Sequence, residues 1–321
     1  RKIIEKREED IRPCVGANYC LDRIYQGGAA FCIHNAATGR ELTMPQVIQK
    51  ADVRKKIVVV GTGPAGLEAA RVAAERGHEV VVFELADKPG GQIRLTAQSP
   101  RRREMISIID WRMSQCEKHD VTFHFNTWAD IDTVTAEKPD VIIIATGGLP
   151  HTEVLSKGNE LVVSSWDILS GDVKPGLNVL VFDAAGDHAG LQAAEILADA
   201  GAKVEVMTPD RSFAPEVMAM NLVPYMRSLQ NKDVTFTVTY RLGAVEKSGN
   251  RLLATVGSDY GGVEKQRIVD QVVINHGTRP LDDLYFDLKL ASSNHGEISH
   301  DQLLAGEAQS VVRNPEGSFQ L

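Results

Sequence analysis

The chain is poor in cysteine and in aromatic residues: 4 Cys and 6% Phe, Trp and Tyr in 321 residues. So few cysteines over this length exclude a disulfide scaffold. Long apolar runs are missing as well. None approaches the roughly 18 residues that a spanning helix needs, so no segment is read as crossing a membrane. Positive charge is in deficit, with 35 Lys and Arg against 43 Asp and Glu, a net charge of −8 and a pI of about 5.6. A nucleic-acid binder gathers Lys and Arg on one phosphate-facing surface, and that footprint is lacking. The 27 Gly and 13 Pro follow no triplet period, which excludes a collagen-like chain. What is present is globular usage, 43% hydrophobic and 24% charged. The length predicts about two domains.

Neither end reads as a natural boundary. The chain opens RKIIEKREED, charged and helix-like, with no initiator Met and no signal-peptide architecture. It closes RNPEGSFQL, a turn before an apolar strand that has barely begun. Both ends are expected to be cuts through a longer polypeptide. Sparse cysteine in an acidic chain favours the cytoplasm. Residues 1–50 hold Cys14, Cys20 and Cys32 among scattered glycines. So loop-rich a segment buries little core and needs a metal or a neighbouring domain to hold it.

Periodicity then changes. Ile57 to Val60 is a β-branched run, GTGPAG follows at once, LEAARVAAERG reads as a helix, and Glu79 to Phe83 as a second strand. This is a βαβ unit. Further strands are expected at 121–125 and 141–144, with a helix over 101–119. A second round starts near residue 177, with strands at 179–182 and 203–207 around a helix at 189–200. A helix at 216–229 follows, then strands at 234–238, 241–246, 251–256 and 268–274. The fold class is α/β: two doubly wound, Rossmann-like nucleotide-binding domains, the second inserted into the first. The boundaries expected are a cysteine segment at 1–50, a first domain at 51–150 resuming at 275–321, and an inserted domain at 151–274.

The first glycine turn carries the strongest chemical signal. Gly61 permits the tight turn out of the strand, Gly63 lets the backbone approach a pyrophosphate, and Gly66 lets helix and strand pack closely. Pro64 and Ala65 open the helix, whose free N–H groups and dipole favour phosphate. Glu84, with Leu85 beside it, stands about 20 residues further on, where a carboxylate meets the adenosine ribose. An acid there argues against a 2′-phosphate, which leaves FAD, NAD or ADP. Gly91 and Gln92, in KPGGQ, and Ala145-Thr146-Gly147, after the apolar run at 141–144, favour FAD or ADP at this site. Trp128 follows the third strand, where the chain passes an adenine.

GTGPAGLEAARVAAERGHEVVVFE, KPGGQI and IIIATGG resemble the two-domain flavoprotein-disulfide-reductase superfamily. With the preceding CVGANYCLDRIYQGGAAFCIHNAATGRE, the whole chain resembles the C-terminal portion of the trimethylamine dehydrogenase, 2,4-dienoyl-CoA reductase and N-methylproline demethylase group. The resemblance implies an FMN-bearing TIM barrel earlier in the same polypeptide, then a four-iron cluster segment, then domains for FAD or ADP and, in some members, NADP(H). It implies oxidation of a small N-methylated amine, or reduction of an enoyl-type substrate, at the barrel FMN. An electron-transfer protein is a candidate partner, and a homo-oligomer is left open. The competing readings are a structural ADP-binding docking module and an NAD(P)H-dependent reductase of the 2,4-dienoyl-CoA reductase kind.

In that group four cysteines hold the cluster. Here Cys14, Cys20 and Cys32 fall in step, but Ala17 stands in place of one ligand. Three alternatives follow: a cluster on three cysteines with an outside ligand such as His34 or solvent, a three-iron form, or a metal-free loop. Cys116 lies apart on an expected helix, and no Cys-x-x-Cys pair is present for disulfide exchange. The second glycine turn reads DAAGDHAG, with Asp183 taken as occupying the first-glycine place, so dinucleotide binding is not expected there. No residue of the chain is assigned a catalytic role.

Overall fold

The structure is a computed structural model and describes residues 2–321. A short helix α1 (Tyr19–Tyr25) punctuates an otherwise irregular first fifty residues. The first sheet is built from β1 (Lys56–Val60), β2 (Glu79–Phe83), β3 (Thr122–His124) and β4 (Val141–Ile144), all parallel, in the order β3-β2-β1-β4. β1 is central and its Val58 and Val59 are fully buried, which is why it reads as an unbroken β-branched run and not as an alternating one. Between these strands lie α2 (Pro64–Glu75), α3 (Gln92–Thr96), α4 (Ser107–Lys118) and α5 (Ile131–Ala136). The expected helix over 101–119 is in two parts: Pro100–Ile106 is 3-10, and only Ser107 onward is α-helical.

From β4 the chain runs through β5 (Gly148–Pro150), β6 (Val163–Ser164) and α6 (Ser165–Ser170) into a second round: β7 (Asn178–Asp183), α7 (His188–Asp199), β8 (Lys203–Met207), α8 (Ala219–Asn231) and β9 (Thr235–Thr237). An antiparallel meander of β10 (Arg241–Ser248), β11 (Arg251–Gly257) and β12 (Glu264–Val269) follows. β13 (Gln271–Asn275) then enters the second parallel sheet, ordered β6-β13-β7-β8-β9. The single strand expected over 268–274 is thus two. Asp270 breaks it, because its carboxylate accepts from both the backbone N–H and the side-chain amide of Asn178 (2.8 Å each) and turns the chain from one sheet to the other. β14 (Thr278–Pro280) pairs with β5 as a two-stranded link, and α9 (Asp283–Lys289) and α10 (His300–Ala305) lead back to Gln320, which bridges to Val141 beside the first sheet.

The first fifty residues contribute little core; Val15 and Ala37 are their only buried apolar side chains among the described residues. Polar anchors hold them instead. The Asp10 carboxylate takes Lys118 at 2.6 Å, Trp111 Nε1 donates to the Asp10 carbonyl at 3.3 Å, and Asn221 of α8 donates to the Ala17 carbonyl at 2.9 Å. The Lys118 hydrogen bond outweighs burial and holds Asp10 down at about 2.

Candidate nucleotide-binding site

The strand order reverses between β1 and β4, and ligands of open α/β sheets collect outside the carboxyl ends of the strands at that point. The expected residues meet there. Ala145 N–H donates to the Val60 carbonyl (2.8 Å), and Gly90 N–H donates to the Thr62 carbonyl (3.0 Å), so the two later loops close on the fingerprint turn. A Cβ on Gly61 would lie 2.3 Å from the Ala145 carbonyl oxygen, and one on Gly66 would lie 1.9 Å from the Gly61 carbonyl oxygen. Both glycines are therefore demanded by backbone packing. Gly63 differs: a Cβ there would meet nothing within 4 Å. The fold does not need that glycine, so the space beside it is available to a ligand.

Gly63 is the N-cap of α2 with no side-chain cap, and Pro64 takes the first helical position. The helix therefore presents uncapped N–H groups and its positive end to that space. Pro64 and Ala65 are exposed at its start. Gly91 passes close by, the position of its Cβ being 3.6 Å from the Gly63 Cα, and Gln92 starts α3. Thr146 donates its hydroxyl to the Leu281 carbonyl (2.5 Å), while Gly147, at φ +69°, accepts from Leu281 N–H (3.0 Å). These bonds tie the turn after β4 to the strand that returns from the second sheet.

Glu84 follows β2 and is held by three donors. One carboxylate oxygen accepts from the Thr62 N–H (2.8 Å) and hydroxyl (2.5 Å), the other from the Ala86 N–H (2.9 Å). A carboxylate has about four acceptor sites, so one is left free at the mouth of the turn. Leu85 and Trp128 are exposed there, Trp128 to 71%. The uncapped helix, the open space at Gly63 and the fixed carboxylate fit an adenosine diphosphate group: donors for phosphate, an acceptor for a sugar hydroxyl.

The cysteines do not come together. All four are free thiols, and among the described residues no three His, Cys, Asp or Glu side chains are arranged to hold a metal ion. Ala17, at the fourth ligand position, packs against the apolar group of Leu67, Met105 and Ile108. His34 is buried, its Nδ1 lies 3.0 Å from the Pro13 carbonyl oxygen, and burial pushes it down to about 4. Cys14, Cys20, Cys32 and His34 thus do not fit a four-thiolate cluster, because one donor is missing and the others are not gathered. Cys116 is buried and pushed up to about 12 by desolvation, which makes it an inert thiol.

The structure also corrects the register of the second glycine turn. Aligned on their helices, Gly190 is the third residue of α7 as Gly66 is of α2. Ala185 then holds the first-glycine place and Asp187 the second. Asp183 is the last residue of β7, buried beneath the turn, where it accepts from Gly186 N–H (2.9 Å) and the Asn275 amide (2.8 Å). Sequence spacing misses this because Gly186 stands four residues before Gly190, near motif spacing, while its φ of +64° serves the turn before the helix.

Burial pushes Asp183 up to about 6, against hydrogen bonds from Asn275 and Gly186 that lower it. The native state therefore holds this proton more tightly than the unfolded chain. The stabilisation is complete below about 4 and is lost as pH rises through about 6. Asp183→Asn, which keeps the oxygen that both donors use, is expected to raise the melting temperature above wild type at pH 8. The gain corresponds to about 2–3 kcal/mol and vanishes at pH 4. Melting curves at the two pH values check it; an equal shift at both would refute it.

The chain belongs to the pyridine nucleotide-disulphide oxidoreductase family, whose model matches residues 55–311. It is 81% identical over its whole length to the probable N-methylproline demethylase of Rhizobium meliloti, of which it covers 47%. It is 44% identical over 97% of its length to the N,N-dimethylglycine/sarcosine dehydrogenase of Chromohalobacter salexigens, of which it covers 46%. Among solved structures, the 6-hydroxypseudooxynicotine amine oxidase of Pseudomonas geniculata superposes with a TM-score of 0.81 at 27% identity, over 89% of this chain and 44% of that one. The chain thus spans about half the length of the curated relatives it matches. Among the described residues no helix is long and apolar enough to cross a membrane.

Proposed function

We propose that this chain is the adenine-nucleotide-binding, electron-transfer part of a flavin-dependent oxidoreductase acting on a small N-methylated amine, N-methylproline being the preferred substrate. The observation that carries it is the uncapped start of α2, with open space at Gly63 and a fixed carboxylate at Glu84. The 81% identity to a probable N-methylproline demethylase supports the substrate class. An FMN in a barrel elsewhere in the longer protein would supply the redox chemistry for amine oxidation, and an electron-transfer protein would accept the electrons. The ligand here is FAD or ADP; a bound FAD would supply one- and two-electron redox chemistry, the protein supplying position and electrostatics. Gly61, Gly63 and Gly66 shape the phosphate cradle, Glu84 fixes the sugar, Trp128 and Leu85 cover the adenine, and Gly91, Gln92, Ala145, Thr146 and Gly147 border the rest. The division is a cysteine segment at 1–50, a first domain at 51–150 and 275–321, and an inserted domain at 151–274. The compartment is the cytoplasm.

Glu84→Ala tests the reading. Loss of one charge-assisted hydrogen bond is worth about 1.5–3 kcal/mol, so ADP and FAD affinities are expected to fall roughly ten- to a hundredfold by calorimetry. A visible flavin band on the purified chain distinguishes FAD from ADP. If the wild-type chain takes up neither nucleotide, or if the variant binds both unchanged, the proposal fails.

A further inference from the structure

The two glycine-rich turns share a backbone plan and differ in what caps the helix. The residue before each helix is extended: Gly63 at φ −63°, ψ 175°, and Asp187 at φ −101°, ψ −172°. Before α2 the N–H groups have no side-chain cap. Before α7 the Asp187 carboxylate accepts from Ala189 N–H at 2.9 Å, and the same oxygen accepts from the Asn275 amide at 2.9 Å. Asn275 is itself fixed, its carbonyl oxygen accepting from the Ser165 hydroxyl at 2.9 Å. A negative charge therefore already sits where the first turn leaves room for phosphate. At the end of β8, Thr208 takes the position that Glu84 takes after β2, so no carboxylate is offered to a ribose.

The space in front of this helix is not filled by the fold. A cleft of about 230 Å³ lies between the two sheets, lined by Gln92 and Thr96 of α3, Arg102, Trp166, Asp187 and His188. Arg102 carries no carboxylate partner among the described residues; its guanidinium meets the His188 ring at 3.1 Å. A cation and a helix start thus face one cleft, and the helix start already holds the protein's own carboxylate.

We propose that Asp187 acts as a built-in anion in the phosphate place of the second fold, and that it closes this fold to nicotinamide dinucleotides. Asp187 is then a specificity-determining residue: electrons leave by a route other than a nicotinamide held at α7. Asp183, buried below the turn and absent from the cleft wall, has no part in the exclusion.

The test is calorimetric titration of NADH and NADPH into the full chain with ADP saturating, so that the first site is blocked. The wild type is expected to bind neither below about 1 mM. Asp187→Gly, which costs the helix little, is expected to bind at least roughly tenfold more tightly, with Arg102 meeting the incoming phosphate. Asp187→Asn, uncharged but still capping, should fall between, and Asp183→Asn should match the wild type. ADP affinity unaltered and a melting temperature not lowered by more than about 1 °C, with the rise already expected for Asp183→Asn above pH 6, show that each variant is folded. If ADP itself does not bind, the first-site reading fails separately, the melting temperature remains the control, and the NADH comparison still decides. Micromolar NADH binding by the wild type overturns the proposal. A folded Asp187→Gly that binds no better than wild type overturns it too, as does an equal gain from Asp183→Asn.

Discussion

Gly63→Ala is expected to weaken ADP and FAD binding by about a hundredfold while leaving the melting temperature unchanged or slightly raised. The added methyl meets no protein atom, and alanine adopts φ −63°, ψ 175° without strain. Its only consequence is to hold a phosphate away from the first turn of α2, lengthening charge-assisted bonds worth about 1.5–3 kcal/mol each. Gly66 would be a poorer probe. Its Cβ would lie 1.9 Å from a backbone oxygen, so a loss of binding there could not be told from a loss of fold. Calorimetry and a thermal melt on Gly63→Ala separate the two. Unchanged affinity would mean that the open space is not the phosphate site.

The second large effect is expected from Glu68→Ala. Three arginines converge on this one carboxylate: Arg71 at 2.7 Å, Arg112 at 2.8 Å and Arg12 at 3.8 Å. Arg71 and Arg112 are each only 5% exposed, and Arg12 lies over the Trp111 ring at 3.9 Å. Burial pulls Arg12 down to about 10 and raises Glu68, but the arginines outweigh burial and hold Glu68 below its ordinary value. Arg71 keeps Glu75 at 2.6 Å, but removing the Glu68 carboxylate leaves the buried Arg112 with no carboxylate partner among the described residues, which costs about 3–5 kcal/mol. At roughly 2–4 °C per kcal/mol for a domain of this size, the melting temperature should fall by about 10 °C. Because Arg12 belongs to the first fifty residues, that segment should also become sensitive to trypsin first. A fall under about 1 °C would show that the cluster contributes little.

Much of the first site was legible in the sequence because its logic is local. A β-branched run, a glycine turn, a helix and an acid lie within one βαβ unit, and each residue type has one physical reason to be there. Strands β7, β8 and β9 of the second sheet were legible for the same reason, whereas the two-residue β6 was not. The second turn was not. DAAGDHAG contains glycines at near-motif spacing, and only the start of α7 shows that Gly186 belongs to the turn and Asp187 to the cap. The split at Asp270 is not legible in the sequence because apolar residues flank the pair Asp270-Gln271 on both sides, while the partner Asn178 is far away in sequence. The cysteine spacing showed one ligand missing at Ala17; that the remaining thiols are not gathered is a matter of packing.

The sequence alone determined the α/β class, the position of the first glycine turn and the absence of a Cys-x-x-Cys pair. These depend on short-range periodicity and on which residue types occur. The tertiary structure decided which helix start is free and which is already capped. It also decided that a charged cluster anchors the first fifty residues, and that a cleft faces Arg102. Those outcomes depend on side chains brought together from distant parts of the chain, such as Asn275 reaching Asp187 and Arg12 reaching Glu68. No local pattern encodes such distances.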